Sequence, residues 1–370
     1  MKIGILSLVL HTNYGGILQS YALQTVLERM GNDVVVLNRD RNITWSLRRH
    51  IINYGKYLIK RYIQGRKTIY KSLDCQNRER KEGEQFTQAF IDRYIHTRMV
   101  NRLTVDSFSD IEAVVVGSDQ VWRSRYFRRL WKSGIENAFL AFLGEKSKKR
   151  IAYAASFGTD EWEYTEQETN KCAELLKKFD FVSVREDTGI RLCKDKLSRA
   201  NAQHVLDPTM LLSKEDYIQL VKNANTPKSK GNLLCYILDD IAVKQQLVEP
   251  LANTQSLTPF HTKVPKGCVV PPLEQWIRGF MDAEFVVTDS FHACVFSILF
   301  HKPFVVIGNK TRGYSRFESL LKLFGLENRL IENVTQFEPS MLEPLSDDVY
   351  KKLDMRKKQS MEFLNNALTD

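Results

Sequence analysis

The stretch EFVVTDSFHACVFSILFHKPFVVIG, which spans Glu284–Gly308, decides the fold. Its apolar run Phe285–Val287 stops at three polar residues, an apolar segment follows, and a second apolar run occupies Phe304–Ile307. This order predicts strand, helix, strand, with the helix beginning at the carboxyl end of a strand. Ligands of open α/β sheets bind at that edge, where helix N-termini present N–H groups and partial positive charge. His292 falls in the first turn of the predicted helix, where it would face an anionic ligand.

The amino-terminal segment shows the same order of elements. Residues 2–8 predict a strand, the loop His11–Gly16 follows, and a helix is expected over residues 17–30 before a strand at Asp33–Leu37. Further strands are expected at 113–116, 150–155, 181–184 and 233–238, with helical patterns between them. Such alternation predicts an α/β protein with two doubly wound domains that face each other across a cleft.

The step Asp207-Pro208 marks the expected boundary, because a residue before proline is held extended. We expect an N-terminal domain over 1–206, a C-terminal domain over 207–345 and a C-terminal helix over 346–370. A basic, helical insertion is expected within the first domain at about 41–105.

Composition indicates a soluble globular protein, since 43% of the 370 residues are hydrophobic and 26% are charged. We expect no signal peptide and no membrane span. The six cysteines are dispersed without a CxxC pair, which favours reduced thiols in the cytoplasm and speaks against a zinc site. We therefore predict no metal.

The net charge of +10 is concentrated in one block. Residues 41–102 hold 15 Lys/Arg against 5 Asp/Glu, so this block carries the whole surplus. Interleaved aromatic residues would suit contact with nucleic acid, anionic lipid or an anionic substrate. Nucleic acid ranks last because no recognised binding motif accompanies the charge. The alternative is a helical insertion whose charges are simply solvated.

Two loops of the first half can hold a ligand. In His11–Gly16, glycines allow close approach of the backbone, and Gln19 follows on the helix. The loop matches neither a dinucleotide nor a P-loop fingerprint, and a tight turn without ligand is the alternative. The second loop is part of Val116–Trp122 and follows the predicted strand at 113–116. In it, Asp119 can accept hydrogen bonds from a sugar hydroxyl and Trp122 can lie against a sugar face. A turn with a packed Trp is the alternative there.

Cationic residues at two further strand ends can bind an anion. Arg185 ends a strand and its planar fork matches carboxylate or phosphate, although a salt bridge to Glu186 or Asp187 is the alternative. Arg312 and Arg316 lie in a glycine-containing loop and can complete an anion clamp, unless that loop is merely solvated. For Asp289 and Ser290 the plain alternative is helix capping. For His292 it is a buried, hydrogen-bonded histidine.

The chain resembles the polysaccharide pyruvyl transferases in six motifs that occur in order over residues 1 to about 330. These motifs are the Asn13-Tyr14-Gly15 loop with Gln19, Val116–Trp122, Ile151–Gly158, Ser183–Glu186, Leu206–Thr209 and Thr288–Ala293.

The resemblance implies a fold like that of the GT-B glycosyltransferases, with two Rossmann-like halves and a cleft. It implies phosphoenolpyruvate as donor, with no resident cofactor, and a sugar hydroxyl pair as acceptor. The products would be a pyruvate ketal, within surface or capsular polysaccharide synthesis, and phosphate. By similarity the second half would hold the donor and the first half the acceptor, itself linked to a nucleotide or lipid diphosphate.

The resemblance also assigns residues. Arg185 and His292 match the donor positions, and the loop residues Asn13, Tyr14 and Gly15 match the acceptor side. Some members carry Arg two residues before the site histidine, where this chain has Ser290. Donor anchoring would then rest on Arg185, helix N–H groups and Arg312 or Arg316.

Ketal formation from an enol phosphate needs a general acid beside the donor. A helix N-terminus lowers the pKa of His292, whereas a bound phosphate dianion raises it. We therefore expect His292 to become an acid only when donor is bound, with Asp119 orienting or deprotonating the acceptor hydroxyl. Two other functions stay open, a GT-B glycosyltransferase that uses a nucleotide sugar and a non-catalytic glycan- or anion-binding protein. The basic block suggests peripheral contact with an anionic membrane at its inner face.

Overall fold

The computed structural model describes residues 1–44, 46–67, 70–239, 242–265, 267–308 and 313–369, with the side chains of residues 242–245 left out. Arg312 therefore lies outside the described residues.

The first half folds around a seven-stranded, wholly parallel sheet. Its order is β3-β2-β1-β4-β5-β6-β7. The strands are β1 Lys2–Leu6, β2 Asp33–Asn38, β3 Thr97–Met99, β4 Ala113–Val116, β5 Lys149–Ala155, β6 Phe181–Val184 and β7 Gln203–His204. The chain winds outward from β1 to β3 and then returns to β4, so the switch point lies between β1 and β4. Loops after these two strands therefore border a crevice.

The second half folds around a five-stranded parallel sheet of order β12-β11-β10-β8-β9. The strands are β8 Leu233–Tyr236, β9 Pro259–His261, β10 Phe285–Thr288, β11 Phe304–Ile307 and β12 Leu330–Ile331. Here the switch point lies between β8 and β10, so the residues after β10 border the corresponding crevice.

Helices connect the strands, as the alternating pattern predicts. They are α1 Tyr14–Arg29, α2 Leu47–Leu58, α3 Leu73–Tyr94, α4 Ser124–Trp131, α5 Glu166–Lys177, α6 Asp187–Leu197, α7 Lys214–Asn223, α8 Ala242–Thr254, α9 Leu273–Asp282, α10 Phe291–Leu299, α11 Tyr314–Phe324 and α12 Asp347–Thr369. The predicted basic insertion contains α2 and α3 but also β3, a short edge strand that the sequence pattern does not indicate.

Helix α1 begins at Tyr14, three residues earlier than predicted. Asn13 is its N-cap residue, and the Asn13 carbonyl accepts the first helical hydrogen bond from Ile17 N at 3.0 Å. Tyr14 and Gly15 therefore belong to the first helical turn rather than to a free loop. A glycine in this turn allows another element to approach closely.

The two halves are packed together. One continuous apolar cluster contains residues of both sheets, among them Ile3 and Val286. Across the junction, the Tyr14 ring lies 5.8 Å from that of Trp276, and Tyr14 Oη donates to the Pro271 carbonyl at 2.7 Å. The architecture predicted from the sequence, two doubly wound α/β units facing each other, is confirmed.

Helix α12 connects the second half back to the first. Near its beginning Tyr350 stacks on His301 with ring centroids 3.8 Å apart. Further along, Phe363 lies 6.1 Å from the Tyr153 ring of the first sheet, and Ser360 Oγ accepts from Leu206 N at 2.9 Å. The helix therefore helps to fix the two sheets relative to each other.

Candidate functional site

The loops after β1, β4, β6 and β10 meet where the carboxyl edges of the two sheets face each other. They bring together Asn13, Asp119, Arg185 and His292, all of which the sequence predicts as site residues. The structure adds Asp207 to them, a residue that the sequence marked as a boundary and as part of the Leu206–Thr209 motif, without a role in the site.

A buried ion pair forms the centre of this cluster. Arg185 Nη1 donates to Asp207 Oδ2 at 2.8 Å, and the two side chains are 2% and 1% exposed. Burial alone would raise the pKa of Asp207, but the charge of Arg185, with His292 and Thr209, holds it below its usual value. Burial would conversely lower the pKa of Arg185, and Asp207, Glu186 and Asp119 together raise it. Both groups are therefore charged at neutral pH.

Arg185 has further hydrogen-bonding capacity. Nη2 lies 4.0 Å from Asp119 Oδ1 and Nε lies 3.9 Å from Glu186 Oε2, distances too long for hydrogen bonds. Within the described residues, neither nitrogen has a hydrogen-bond partner. The guanidinium also lies over the Phe291 ring, 4.5 Å from its centroid. Two buried donors of a charged group without partners indicate a place for a ligand oxygen or an ordered water.

His292 approaches this ion pair from the second half. It is the second residue of α10, and its Nε2 lies 3.8 Å from Asp207 Oδ2. Nε2 has no hydrogen-bond partner among the residues described. Burial lowers the pKa of His292 from 6.5 to about 4, with Asp207 opposing that shift and Arg185 adding to it. The imidazole is therefore neutral at pH 7 in the free protein.

The ring of His292 packs against the backbone of α1. A β-carbon built on Gly15 would lie 2.0 Å from His292 Nδ1, so only glycine leaves room for the ring. The sequence predicts that Gly15 lets the backbone approach a ligand closely. In the structure the group that lies close to Gly15 is the side chain of His292. This contact couples the first turn of α1, in the first half, to the helix that carries His292.

Asp119 occupies the switch-point crevice of the first sheet. It is 3% exposed and adopts a left-handed backbone conformation with φ of 55°. Asn13 Nδ2 donates to Asp119 Oδ2 at 3.3 Å. Asp tolerates this conformation better than most residues, and such positions concentrate at functional sites. The loops after β1 and β4, each predicted separately as a possible ligand site, are therefore in contact.

Asp289 and Ser290 directly precede α10, and neither side chain is used as capping would predict. Asp289 Oδ1 and Oδ2 accept from the backbone N–H groups of Leu238 and Asp239 at 2.5 and 2.9 Å, which ties the loop after β8 to the loop after β10. Ser290 occupies the N-cap position without a side-chain cap hydrogen bond. Among the described residues Ser290 therefore does not cap α10 with its side chain, and Asp289 serves to connect the two loops.

Arg316 lies near the same aromatic ring as Arg185. Its Cζ is 5.6 Å from the Phe291 centroid. Burial, together with repulsion from Arg185, lowers the pKa of Arg316 to about 10, so it stays protonated at pH 7. The two guanidiniums flank Phe291 as a clamp would require. Arg312, the other predicted member, lies outside the described residues.

Three predicted acceptor residues are buried and contact protein instead. Trp122 is fully buried, stacks on Phe139 at 4.9 Å and donates from Nε1 to the Ala138 carbonyl. The prediction that it lies against a sugar face is wrong, because both faces of an indole held in this way are unavailable. Tyr14 is 4% exposed and packs between the two halves.

Gln19 is also fully buried. Its Nε2 donates to Ser118 Oγ at 3.0 Å and also to Asp207 Oδ2. It therefore orients Asp207 and the β4 loop from within the protein, and direct contact with an acceptor, as predicted, is wrong.

Sequence reasoning missed the functional placement of Asp207 and Glu186. Asp207 follows the short strand β7 and is the partner of Arg185, where the sequence suggested Glu186 or Asp187. Glu186 Oε1 instead accepts from Ser156 Oγ at 2.8 Å and Phe157 N at 3.0 Å, which fixes the loop after β5. For both Asp207 and Glu186, the indication available in the sequence was their position just after the carboxyl end of a strand.

A separate pocket opens at the carboxyl end of β2 and has a volume of about 580 Å³. Arg80 Nη1 donates to Glu84 Oε2 at 2.8 Å, and Arg41 also binds Glu84. Nearby His11, in the β1 loop, has its pKa lowered to about 4 by burial and by Arg41, with Asp119 opposing. The charged residues that line the pocket are Arg39, Asp40, Arg41, Arg80, Lys81, Glu84 and Asp92.

No group of three or more His, Cys, Asp or Glu side chains suited to hold a metal ion occurs within the described ranges.

Taken together, the fold and this cluster define a two-domain α/β protein with a charged site between its domains. A family model described as polysaccharide pyruvyl transferase matches residues 13–311, and the chain belongs to this family. A comparison with curated proteins finds no match.

Solved structures show similarity at the level of the fold. The putative UDP-N-acetylglucosamine 2-epimerase from Listeria monocytogenes has a TM-score of 0.51 at 10% identity, over 98% of this chain and 89% of that chain. S. aureus MnaA, in a co-structure with UDP, has a TM-score of 0.48 at 13% identity, over 100% of this chain and 98% of that chain. The UDP-GlcNAc 2-epimerase from Neisseria meningitidis bound to UDP-GlcNAc has a TM-score of 0.47 at 9% identity, over 99% of this chain and 100% of that chain. The fold is GT-B-like.

Proposed function

We propose that this protein transfers a pyruvyl group from phosphoenolpyruvate to a pair of sugar hydroxyls, forming a pyruvate ketal and phosphate during surface or capsular polysaccharide biosynthesis. Membership of the family supports the class of reaction. The observation that carries the proposal is the pair formed by Arg185 and His292: two buried N–H nitrogens of Arg185 and Nε2 of His292 lack partners within the described structure and lie around the same carboxylate, Asp207.

The donor is proposed to bind on the side of the second domain. Arg185 and Arg316 flank Phe291, and the N-terminus of α10 opens at Ser290. Guanidinium forks suit both the carboxylate and the phosphate of the donor, and a helix N-terminus favours negative charge. Three carboxylates already surround Arg185, and Arg316 and the helix terminus are proposed to add to its attraction for the donor. Arg312 remains a predicted contributor.

His292 is proposed as the general acid. The methylene carbon of the donor accepts a proton, so that C2 becomes electrophilic, and one sugar hydroxyl oxygen attacks C2 while losing its proton. The bond between C2 and the phosphate ester oxygen then breaks and phosphate leaves with the electron pair. The second hydroxyl oxygen attacks C2 and closes the ketal, and its proton passes to the released phosphate. Free His292 is neutral, with a pKa of about 4. A phosphate dianion beside it would raise this pKa, so the acid form is expected only after donor binds.

The acceptor is proposed to lie on the side of the first domain, at Asn13 and Asp119. Asp119 would orient or deprotonate the attacking hydroxyl, with Asn13 holding its carboxylate at 3.3 Å. The pocket at the end of β2 would take the anionic diphosphate, nucleotide- or lipid-linked, that carries the sugar. The four cations that line this pocket support the placement of the diphosphate there. Their attraction for it is reduced by Glu84, with which Arg41 and Arg80 are already paired.

As proposed, phosphoenolpyruvate is a co-substrate, and the reaction needs neither a resident cofactor nor nucleic acid. We also place the reaction in the cytoplasm. The free state of the six cysteines supports a reducing compartment.

The test is phosphate release from phosphoenolpyruvate with a panel of nucleotide- and lipid-diphosphate-linked sugars, with the ketal identified by mass spectrometry. We expect His292→Asn to lower kcat about 10²–10⁴-fold, the range of general acid catalysis. His301→Asn, at an exposed turn two residues beyond the end of α10, is the matched control and should keep wild-type turnover. Near-wild-type turnover of His292→Asn would disprove the acid assignment.

Calorimetry separates the other two functions. A nucleotide sugar that binds and turns over where phosphoenolpyruvate does neither would identify a glycosyltransferase. Binding of phosphoenolpyruvate without phosphate release from any acceptor would identify a non-catalytic binding protein.

A further inference from the structure

Helix α2 and the π-helical turn that continues it, Ile59–Ile63, have no buried residue. We name residues 46–67 the α2 arm. Its apolar side chains are nevertheless large and exposed: Leu47 is 79% exposed, Ile51 65% and Ile63 78%. Isolated exposed apolar residues are ordinary, but a contiguous set along one element marks an interaction surface.

The exposed apolar residues share one side of the arm. At 100° per residue, Leu47, Ile51 and Leu58 fall within a sector of about 40°. Ile52 and Ile59 widen this sector to about 140°, still one face of the helix, which also contains Gly55 and one cation, Arg48. A π turn holds more residues than an α turn, so the segment Ile59–Ile63 brings the exposed Tyr62 and Ile63 back to the same side. The arm is therefore an amphipathic element whose apolar face has no cover in the described structure.

The opposite side is cationic. Arg49, Lys56 and Lys60 lie about half a turn away from the apolar sector. Over the whole arm there are seven Lys/Arg and no Asp/Glu. Tyr54 and Tyr57 pack on Tyr70, three residues beyond the arm, with ring centroids 5.2 and 5.4 Å apart.

We propose that the α2 arm docks this protein onto an anionic lipid surface. An apolar face of this width, bordered by Lys56 on one side and by Tyr54 on the other, with further cations on the opposite side, is typical of helices that lie in the plane of a membrane interface. The charge complementarity selects the lipid: seven cations without one acid fit a surface of anionic headgroups. No helix in the described part of the chain is long and apolar enough to cross a bilayer, so contact through the arm would be peripheral.

Docking through the arm also gives the site an orientation. The arm follows β2, which pairs with β1, and the loops after these strands hold the pocket and Asn13. The proposed acceptor side would then face the bilayer, which suits a lipid-diphosphate-linked sugar. This orientation rests on the proposed function, whereas the docking itself does not.

The experiment is co-sedimentation of the full chain with vesicles of phosphatidylcholine mixed with phosphatidylglycerol, and with vesicles of phosphatidylcholine alone. We expect binding to the mixed vesicles only, weakened by added salt. Ile51→Asp should lower the partition constant about tenfold or more, because it places an anion in the apolar face. Arg49→Gln/Lys56→Gln/Lys60→Gln should lower it similarly.

Matched controls lie on other helices. Met355→Asp changes an apolar side chain of α12 that is 51% exposed, and Lys194→Gln/Lys351→Gln/Lys358→Gln removes three exposed cations. Both should bind vesicles as the wild type does. The docking proposal is overturned if the wild type does not bind mixed vesicles or if Ile51→Asp binds them fully. It is also overturned if sedimentation equilibrium shows a dimer that Ile51→Asp dissociates, since a second copy then covers the face.

Phosphate release with a water-soluble acceptor separates this proposal from the catalytic one. Ile51→Asp that loses vesicle binding should keep wild-type release in solution. Vesicle binding by a protein that releases no phosphate would uphold docking and count against the proposed reaction.

Discussion

The imidazole of His292 lies against Gly15, so closely that a β-carbon there would come within 2.0 Å of Nδ1. The site histidine of the second domain is therefore positioned by the backbone of the first. Any change that separates the two domains must also move His292 relative to Arg185 and Asp207.

Gly15→Ala should disable the site more than it destabilises the fold. The new methyl group forces His292 or the α1 turn to shift, and displacement of a reacting group by about 1 Å can cost about 10²-fold in rate. Overpacking of this size destabilises by about 1–3 kcal/mol. Phosphate release and urea unfolding measure the two effects. Gly83→Ala in α3, where the nearest atom is 3.9 Å away, is the control and should keep full activity.

The stability of the protein should fall in mild acid because of His292. Its folded-state pKa of about 4 lies below the 6.5 of an exposed histidine, so the unfolded chain binds more protons between these values. Stability is therefore lost as the pH falls through this window, by about 2–3 kcal/mol at pH 4.5 for this residue alone. Urea unfolding of wild type and His292→Asn at pH 7.5 and 4.5 isolates the contribution, since the other histidines cancel. Equal losses in both proteins would contradict the buried, neutral state of His292.

The elements around the site could be predicted because buried parallel strands are apolar runs that end at polar or glycine residues. Strands β4 and β10 and the helix that carries His292 follow from this pattern. The edge strands β3, β9 and β12 are only two or three residues long and have too little pattern to detect. Contacts between distant segments, such as Arg185 with Asp207 or His292 with Gly15, depend on how the sheets pack, which periodicity does not encode. Trp122 shows the same limit, since an indole after a strand suits a sugar face and a core equally well.

Trp122→Phe should weaken the fold and leave substrate recognition intact. The substitution removes the hydrogen bond to the Ala138 carbonyl and part of the stacking on Phe139, which together cost about 1–3 kcal/mol. The KM for acceptor should stay at the wild-type value, because the ring is fully buried. Thermal unfolding measures the loss of stability, and acceptor titrations measure the KM. A rise in KM without loss of stability would restore the sugar-stacking role.

Arg185→Met should be among the most destabilising single changes in the molecule. It leaves Asp207, Glu186 and Asp119 without their central cation, and breaking a buried pair in this way costs about 3–5 kcal/mol. The exposed pair of Arg29 and Asp216, 2.6 Å apart, provides the control: Arg29→Met should cost about 1 kcal/mol or less.

The pH dependence of the unfolding free energy shows whether Arg185→Met destabilises the protein through the loss of a compensating charge or through the loss of packing. Asp207 has a lowered pKa because Arg185 overcomes the effect of burial, so its stabilising contribution is present above the pKa of an unfolded Asp and is lost in more acidic solution. In Arg185→Met the pKa of this carboxyl is no longer lowered by Arg185 and is raised by burial, so the carboxylate takes up a proton more readily as the pH falls, which relieves the buried negative charge. The difference in unfolding free energy between wild type and variant should therefore narrow in acid, whereas a difference that is constant with pH would show that packing dominates.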